Sequence, residues 1–98
     1  MGPREGAGPE FPLALGAVLR TARRQRGLRL KDVPRCSGLR FAPTTVAGYE
    51  HGERAISLER FCALARLYGV SPQELLGRAL DAADTRDRGV EGVGLPLP

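Results

Sequence analysis

The sequence predicts an all-α domain of five short helices, and three observations carry that expectation. Apolar residues recur at helical spacing in successive stretches, glycines separate those stretches, and no segment alternates with period two for long enough to argue a strand. The 98 residues have room for one hydrophobic core, and 42% hydrophobic against 27% charged residues is a globular composition. Trp is absent and aromatics are only 5%, so that core is expected to be aliphatic.

Residues 1–10 combine Gly, Pro and charge with almost nothing to bury, and they read as a disordered arm. Order is expected from Phe11. Pro12 suits a first helical position, and Leu15, Val18, Leu19 and Ala22 fall on one face of a first helix ending near Arg26. Gly27 supplies its left-handed stop, and Leu28 can fold back on the last turn. A second helix, from Leu30 to about Cys36, puts Leu30 and Val33 inside and Lys31 and Arg35 outside. Pro34 obstructs it, so this helix must start close to Leu30 and be short or distorted. Residues 37–42 form a turn.

The third helix opens at Ala42-Pro43-Thr44-Thr45, faces Val46 and Tyr49 inward and closes at Gly52. Ser57 is the N-cap of a fourth helix whose stripe, Leu58, Phe61, Ala65 and Tyr68, is expected to be core; Gly69 stops it. Ser71-Pro72-Gln73-Glu74 is a capping box opening a fifth helix with Leu75, Leu76 and Leu80. Beyond Ala83 the period is lost. The folded domain is therefore expected over residues 11–83, and 84–98 as a disordered tail or linker.

Charge is concentrated in the middle of this plan. Between Arg20 and Arg54 nine basic residues face three acidic ones, a local balance of +6 within a net charge of +4, while both flanks are slightly acidic. A positive field confined to one segment suits a polyanion, and a solvated charged face is the bland alternative. The segment coincides with a helix, a tight turn and a second helix ending in Tyr49-Glu50-His51-Gly52, which is a helix-turn-helix arrangement.

Other function classes find little support. Nothing resembles a nucleophile with its base, paired carboxylates or a phosphate loop, so an enzyme is not expected. Cys36, Cys62 and the lone histidine cannot complete a zinc site, and neither a cofactor nor a small-molecule ligand is suggested. Both cysteines read as small core residues, with a redox switch as the less favoured alternative. No apolar run approaches the roughly 20 residues of a membrane span, and the opening MGPREGAGPEFP lacks a secretory stretch, so a cytoplasmic, nucleoid-associated protein is expected. The basic residues are fourteen Arg and one Lys, which hints at a GC-rich genome.

The stretches LRTARRQRGLRLKDV and VAGYEHGERAISLERFCALARLYGVSPQELL resemble the Cro/C1-type (XRE) helix-turn-helix family, and within it the BldD-like developmental regulators of actinobacteria. The resemblance covers about Leu15 to Leu80 and implies a five-helix, lambda-repressor-like domain that binds double-stranded DNA as a transcription regulator, typically a repressor, and as a homodimer on its site. It departs from the commonest family pattern in a turn about two residues longer around Gly38 to Ala42, and in Pro34 and Gly48 where better helix formers are usual.

Carried over by position, the resemblance puts Pro43, Thr44, Thr45 and Gly48 against base edges in the major groove. Arg40, in the lengthened turn outside that correspondence, is the best candidate for a guanine contact, with a phosphate contact as the rival. Because most protein–DNA hydrogen bonds go to the backbone, Arg29, Lys31, His51 and Arg54 are assigned to phosphates, with a solvated charged face as the alternative for each and capping of helix carbonyls for His51. The resemblance makes Arg23 and Glu50 a buried structural ion pair between the first and third helices. A protein-interaction module built on the same fold, such as an antitoxin or adaptor, is the competing function; it should show an apolar patch where this chain shows arginine.

Overall fold

The structure is a computed structural model and describes residues 10–87. Its helices are α1 (Glu10–Gln25), a 3-10 turn (Leu30–Asp32) running directly into α2 (Val33–Cys36), α3 (Pro43–Glu50), α4 (Leu58–Leu67) and α5 (Pro72–Asp87). No strand occurs among the described residues. The long outer helices α1 and α5 pack on each other, and α3 lies against α1.

Local chemistry explains most of the boundaries. At the end of α1 the Gly27 and Leu28 amides donate back to the Arg24 and Arg23 carbonyls at 2.9 and 3.1 Å, with Gly27 at φ +83. Two otherwise orphaned carbonyls are thereby satisfied. Pro34 is accommodated by winding Leu30 to Asp32 as a 3-10 turn, so that the proline enters α2 in its first turn, where no amide is needed. Ser57 Oγ accepts from the Arg60 amide at 3.1 Å, and Ser71 Oγ from the Glu74 amide at 3.0 Å. The Glu74 carboxylate pairs with Arg78 one turn further on.

Two ends differ from expectation. α1 starts at Glu10, inside the expected arm, so Pro12 stands within the first turn instead of opening the helix. α5 continues through 84–87, past the expected boundary, because a nucleated helix can add turns of polar sequence without an apolar partner. The remainder of the expected arm and tail, 1–9 and 88–98, lies outside the described residues.

The core is aliphatic at its centre, where Leu19, Val33, Val46, Leu64 and Leu75 are fully buried, and Phe41, Phe61, Tyr49 and Tyr68 close around them. Three expected core residues are not there. Leu58 is 68% exposed, since it lies in the first turn of α4 at the margin of the Phe61, Leu64, Ala65 and Tyr68 stripe. Leu80 is 51% exposed, being about 140° around the helix from Leu75, and Ala79 takes the buried position. Cys36, the last residue of α2, is exposed, whereas Cys62 is half-buried.

The turn between α2 and α3 contains two consecutive left-handed residues, Gly38 at φ +65 and Leu39 at φ +67. Glycine adopts this conformation freely; for leucine it costs roughly 1–2 kcal/mol. Hydrogen bonds hold the turn in place, from the Leu39 amide to the Pro34 carbonyl at 2.6 Å and from the Phe41 amide to Ser37 Oγ at 3.3 Å.

Where α1 crosses α3 the backbones nearly touch. A Cβ on Gly16 would stand 2.5 Å from the Tyr49 carbonyl oxygen and closer still to that of Glu50, whereas a Cβ on Gly77 of α5 would meet nothing. Helix propensity favours alanine at both positions. Gly77→Ala is therefore expected to stabilise the protein by about 0.5–1 kcal/mol, and Gly16→Ala to destabilise it by about 1–3 kcal/mol, as read by urea denaturation; equal effects would refute the close crossing.

Candidate nucleic-acid interface

α3 buries Val46, Tyr49 and Glu50 and turns its other side outward. Proline at its first position gives the start a fixed φ, and the Ala42 N-cap offers no side-chain bond, so the first-turn amides are left for outside acceptors. Thr44 and His51 are exposed, and Pro43, Thr45 and Ala47 are half-buried. Helical geometry puts positions 44, 47 and 51 on one stripe.

Gly48, four residues from Thr44, lies on the same side of the helix and is covered by the aliphatic stem of Arg54, whose Cδ would be 2.6 Å from a Cβ added there. The Gly48 carbonyl also accepts the Glu53 and Arg54 amides at 2.9 and 3.2 Å, which draws Arg54 back over α3. Ala47, three residues from Thr44 and half-buried, borders the same side.

Arg23 and Glu50 meet in the interior. Arg23 Nε donates to Glu50 Oε2 at 2.7 Å and Nη2 to Oε1 at 3.0 Å, while Nη1 caps the Leu28 carbonyl at 2.8 Å. Both residues are 7% exposed. The bidentate bond to Glu50 raises the arginine's pKa, outweighing the opposing effect of burial. Beside them the buried Tyr68 hydroxyl has no hydrogen-bond partner among the described residues. Burial pushes its pKa well up, and the Glu50 charge adds to that.

The basic residues of the turn region are less free than their number implies. Asp32 accepts from the Arg29 amide at 2.8 Å and Arg29 Nε at 3.2 Å, and Arg35 Nη2 lies 3.3 Å away. The Arg29 bonds, with the Arg35 charge, hold the Asp32 carboxyl below the usual carboxylate range. Arg40 reaches Glu59 of α4 at 3.7 Å and lies 5.6 Å from the centroid of the Phe41 ring. Lys31, His51 and Arg54 are exposed. A further contact absent from the sequence reading joins α4 to α3, with Arg60 Nη1 donating to the Tyr49 hydroxyl at 2.9 Å.

Among the described residues no cluster of His, Cys, Asp or Glu could hold a metal ion, and no helix is long and apolar enough to cross a membrane. An apolar groove of about 300 Å³ between α4 and α5 is lined by Leu58, Phe61, Cys62 and Leu76.

Comparison with known proteins places these features. The family described as "Helix-turn-helix domain" matches residues 14–80. The structure of the S. venezulae BldD DNA-binding domain is similar at 44% identity over 67% of this chain and 96% of that one, with a TM-score of 0.64. A crystal structure of the DNA-binding domain of BldD is similar at 43% identity over 69% of this chain and 96% of that one, with a TM-score of 0.66. The search of curated proteins finds no match.

The interior pair and the orphan hydroxyl beside it should respond to substitution in opposite ways. Glu50→Gln strands the Arg23 charge in a buried site and is expected to cost about 3–5 kcal/mol. Tyr68→Phe removes only a hydroxyl without a partner and should leave stability unchanged or raised. Thermal unfolding of both variants checks this; a neutral Glu50→Gln would mean the pair is hydrated in solution.

Proposed function

The chain belongs to the helix-turn-helix domain family, and from that premise we propose that it binds double-stranded DNA as a bacterial transcription regulator, a repressor that lays α3 in the major groove. The observation that carries this reading is the outward stripe of α3, beside the Arg40 turn and anchored from behind by the Arg23–Glu50 pair. Two similar structures, both DNA-binding domains, support it. It acts by binding and not by catalysing a reaction, at the nucleoid in the cytoplasm.

In this proposal Pro43, Thr44, Thr45 and Ala47 face base edges, and Arg40 reads a guanine. Threonine hydroxyls and methyl groups discriminate less sharply than a bidentate arginine, so Arg40 dominates direct readout. Arg29, Lys31, His51 and Arg54 lie along phosphates and set register without reading sequence. One such domain reads only a few base pairs, so two copies occupy half-sites about 34 Å apart as a homodimer on DNA. Glu59 competes with the duplex for Arg40 and must release it.

Two measurements test the proposal. Fluorescence titration against a duplex selected from a random library should give sub-micromolar binding, with a log-log salt slope of about −5 to −7 for roughly three or four phosphate contacts from each of two copies. Absent or salt-insensitive binding would favour a protein-interaction module instead. Arg40→Ala should relax preference at one base pair by about 1–3 kcal/mol, whereas Arg29→Ala should weaken all duplexes alike. Glu59→Gln should tighten binding, and a loss of affinity there would contradict the competition for Arg40.

A further inference from the structure

Leu39 stands out on two independent counts. It is the only non-glycine residue at positive φ among the described residues, and at 82% it is the most exposed of the large hydrophobics named in the structure. Scattered exposed leucines are ordinary on protein surfaces; an exposed leucine held in a conformation that glycine or asparagine adopts more readily is not. Strain of this kind collects where a side chain is used, because the surrounding structure must over-determine it to keep it.

The surroundings do so. The Leu39 amide is tied to the Pro34 carbonyl, the Arg40 amide to the Ser37 carbonyl at 3.2 Å, and Phe41, 2% exposed, roots the turn in the core. Leu39 is thus presented at the tip of a braced turn, four residues ahead of the first residue of α3. Gly38 on one side carries no side chain that would keep a ligand away, and Arg40 on the other brings a cation. The other exposed large hydrophobics, Phe11, Leu13, Leu58 and Leu80, lie on α1, α4 and α5, so the turn offers a single apolar finger and not a patch suited to a protein partner.

We propose that Leu39 reads DNA directly, its branched end meeting the 5-methyl group of a thymine at the edge of the site contacted by α3. This deepens the DNA-binding reading and rests on it. An apolar side chain against the thymine methyl is a recognised mode of base readout, and it requires a rigid, solvent-facing hydrophobe that hides no apolar surface elsewhere in the protein. The strained turn supplies it.

The test uses the full chain and the selected duplex, in which each thymine is replaced in turn by deoxyuridine to remove one methyl group and nothing else. The parent protein should lose about fourfold in affinity at one position, the discrimination of one buried methyl. Leu39→Gly should be at least as stable thermally as the parent, bind the thymine duplex about fourfold more weakly and no longer distinguish uracil at that position. Leu39→Asn, which tolerates the same backbone, should behave like Leu39→Gly. Variants that bind as tightly as the parent overturn the inference while leaving the DNA-binding reading intact. Weakened binding with no uracil-sensitive position in the parent overturns it too, assigning Leu39 to the sugar-phosphate surface or to a second copy. Failure of the parent to bind any duplex overturns both readings.

Discussion

A single guanidinium organises this domain. Arg23 meets both oxygens of Glu50 and the carbonyl of Leu28, so one side chain joins the last turn of α1, its own C-terminal cap and the last residue of α3. Buried ion pairs are weak contributors to net stability because desolvation offsets the attraction, but they penalise any arrangement that leaves one charge alone. Here that selectivity fixes the rotation and tilt of α3 relative to α1. The backbone contact at Gly16 fixes their separation, and the two constraints together leave α3 little freedom as a rigid body.

The electrostatic surface follows from where the acids fall, more than from how many arginines there are. Glu50 takes Arg23 out of the outer field, Asp32 is shared by Arg29 and Arg35, and Glu59 borders Arg40. What remains outward around α3 is Lys31, His51 and Arg54, with the paired arginines exposed behind their carboxylates. Exposed pairs of this type are worth little in water, so the carboxylates hold these guanidinium groups in defined places without tying them up strongly. A count of charge along the chain records a total; the fold distributes it.

Much of the architecture was legible from residue chemistry. Gly27, Ser57, Gly69 and Ser71 act through the backbone or the nearest amide, so their effect is local and a sequence shows it directly. The distortion at Pro34 was legible for the same reason, since a missing amide and a crowded turn are properties of the chain itself. Leu58 and Leu80 were misplaced because a helical period gives spacing but not the width of the buried stripe, and that width depends on which neighbours arrive. The cover that Arg54 lays over Gly48 was not legible, because it comes from beyond a turn whose path is a tertiary matter. The Asp32 bridge was readable in principle, with Arg29 and Arg35 each three residues from it.

The near-contact of α1 and α3 at Gly16 has a further consequence for any duplex that the domain engages. α1 cannot press closer to α3 or slide along it without driving its backbone into the carbonyls of Tyr49 and Glu50, which restricts how the protein side can adjust to its ligand. Adaptation then falls on the nucleic acid, whose groove width and curvature become part of the energetic cost of association. Pyrimidine–purine steps, the most compliant in B-form helices, would be favoured at positions that no side chain touches.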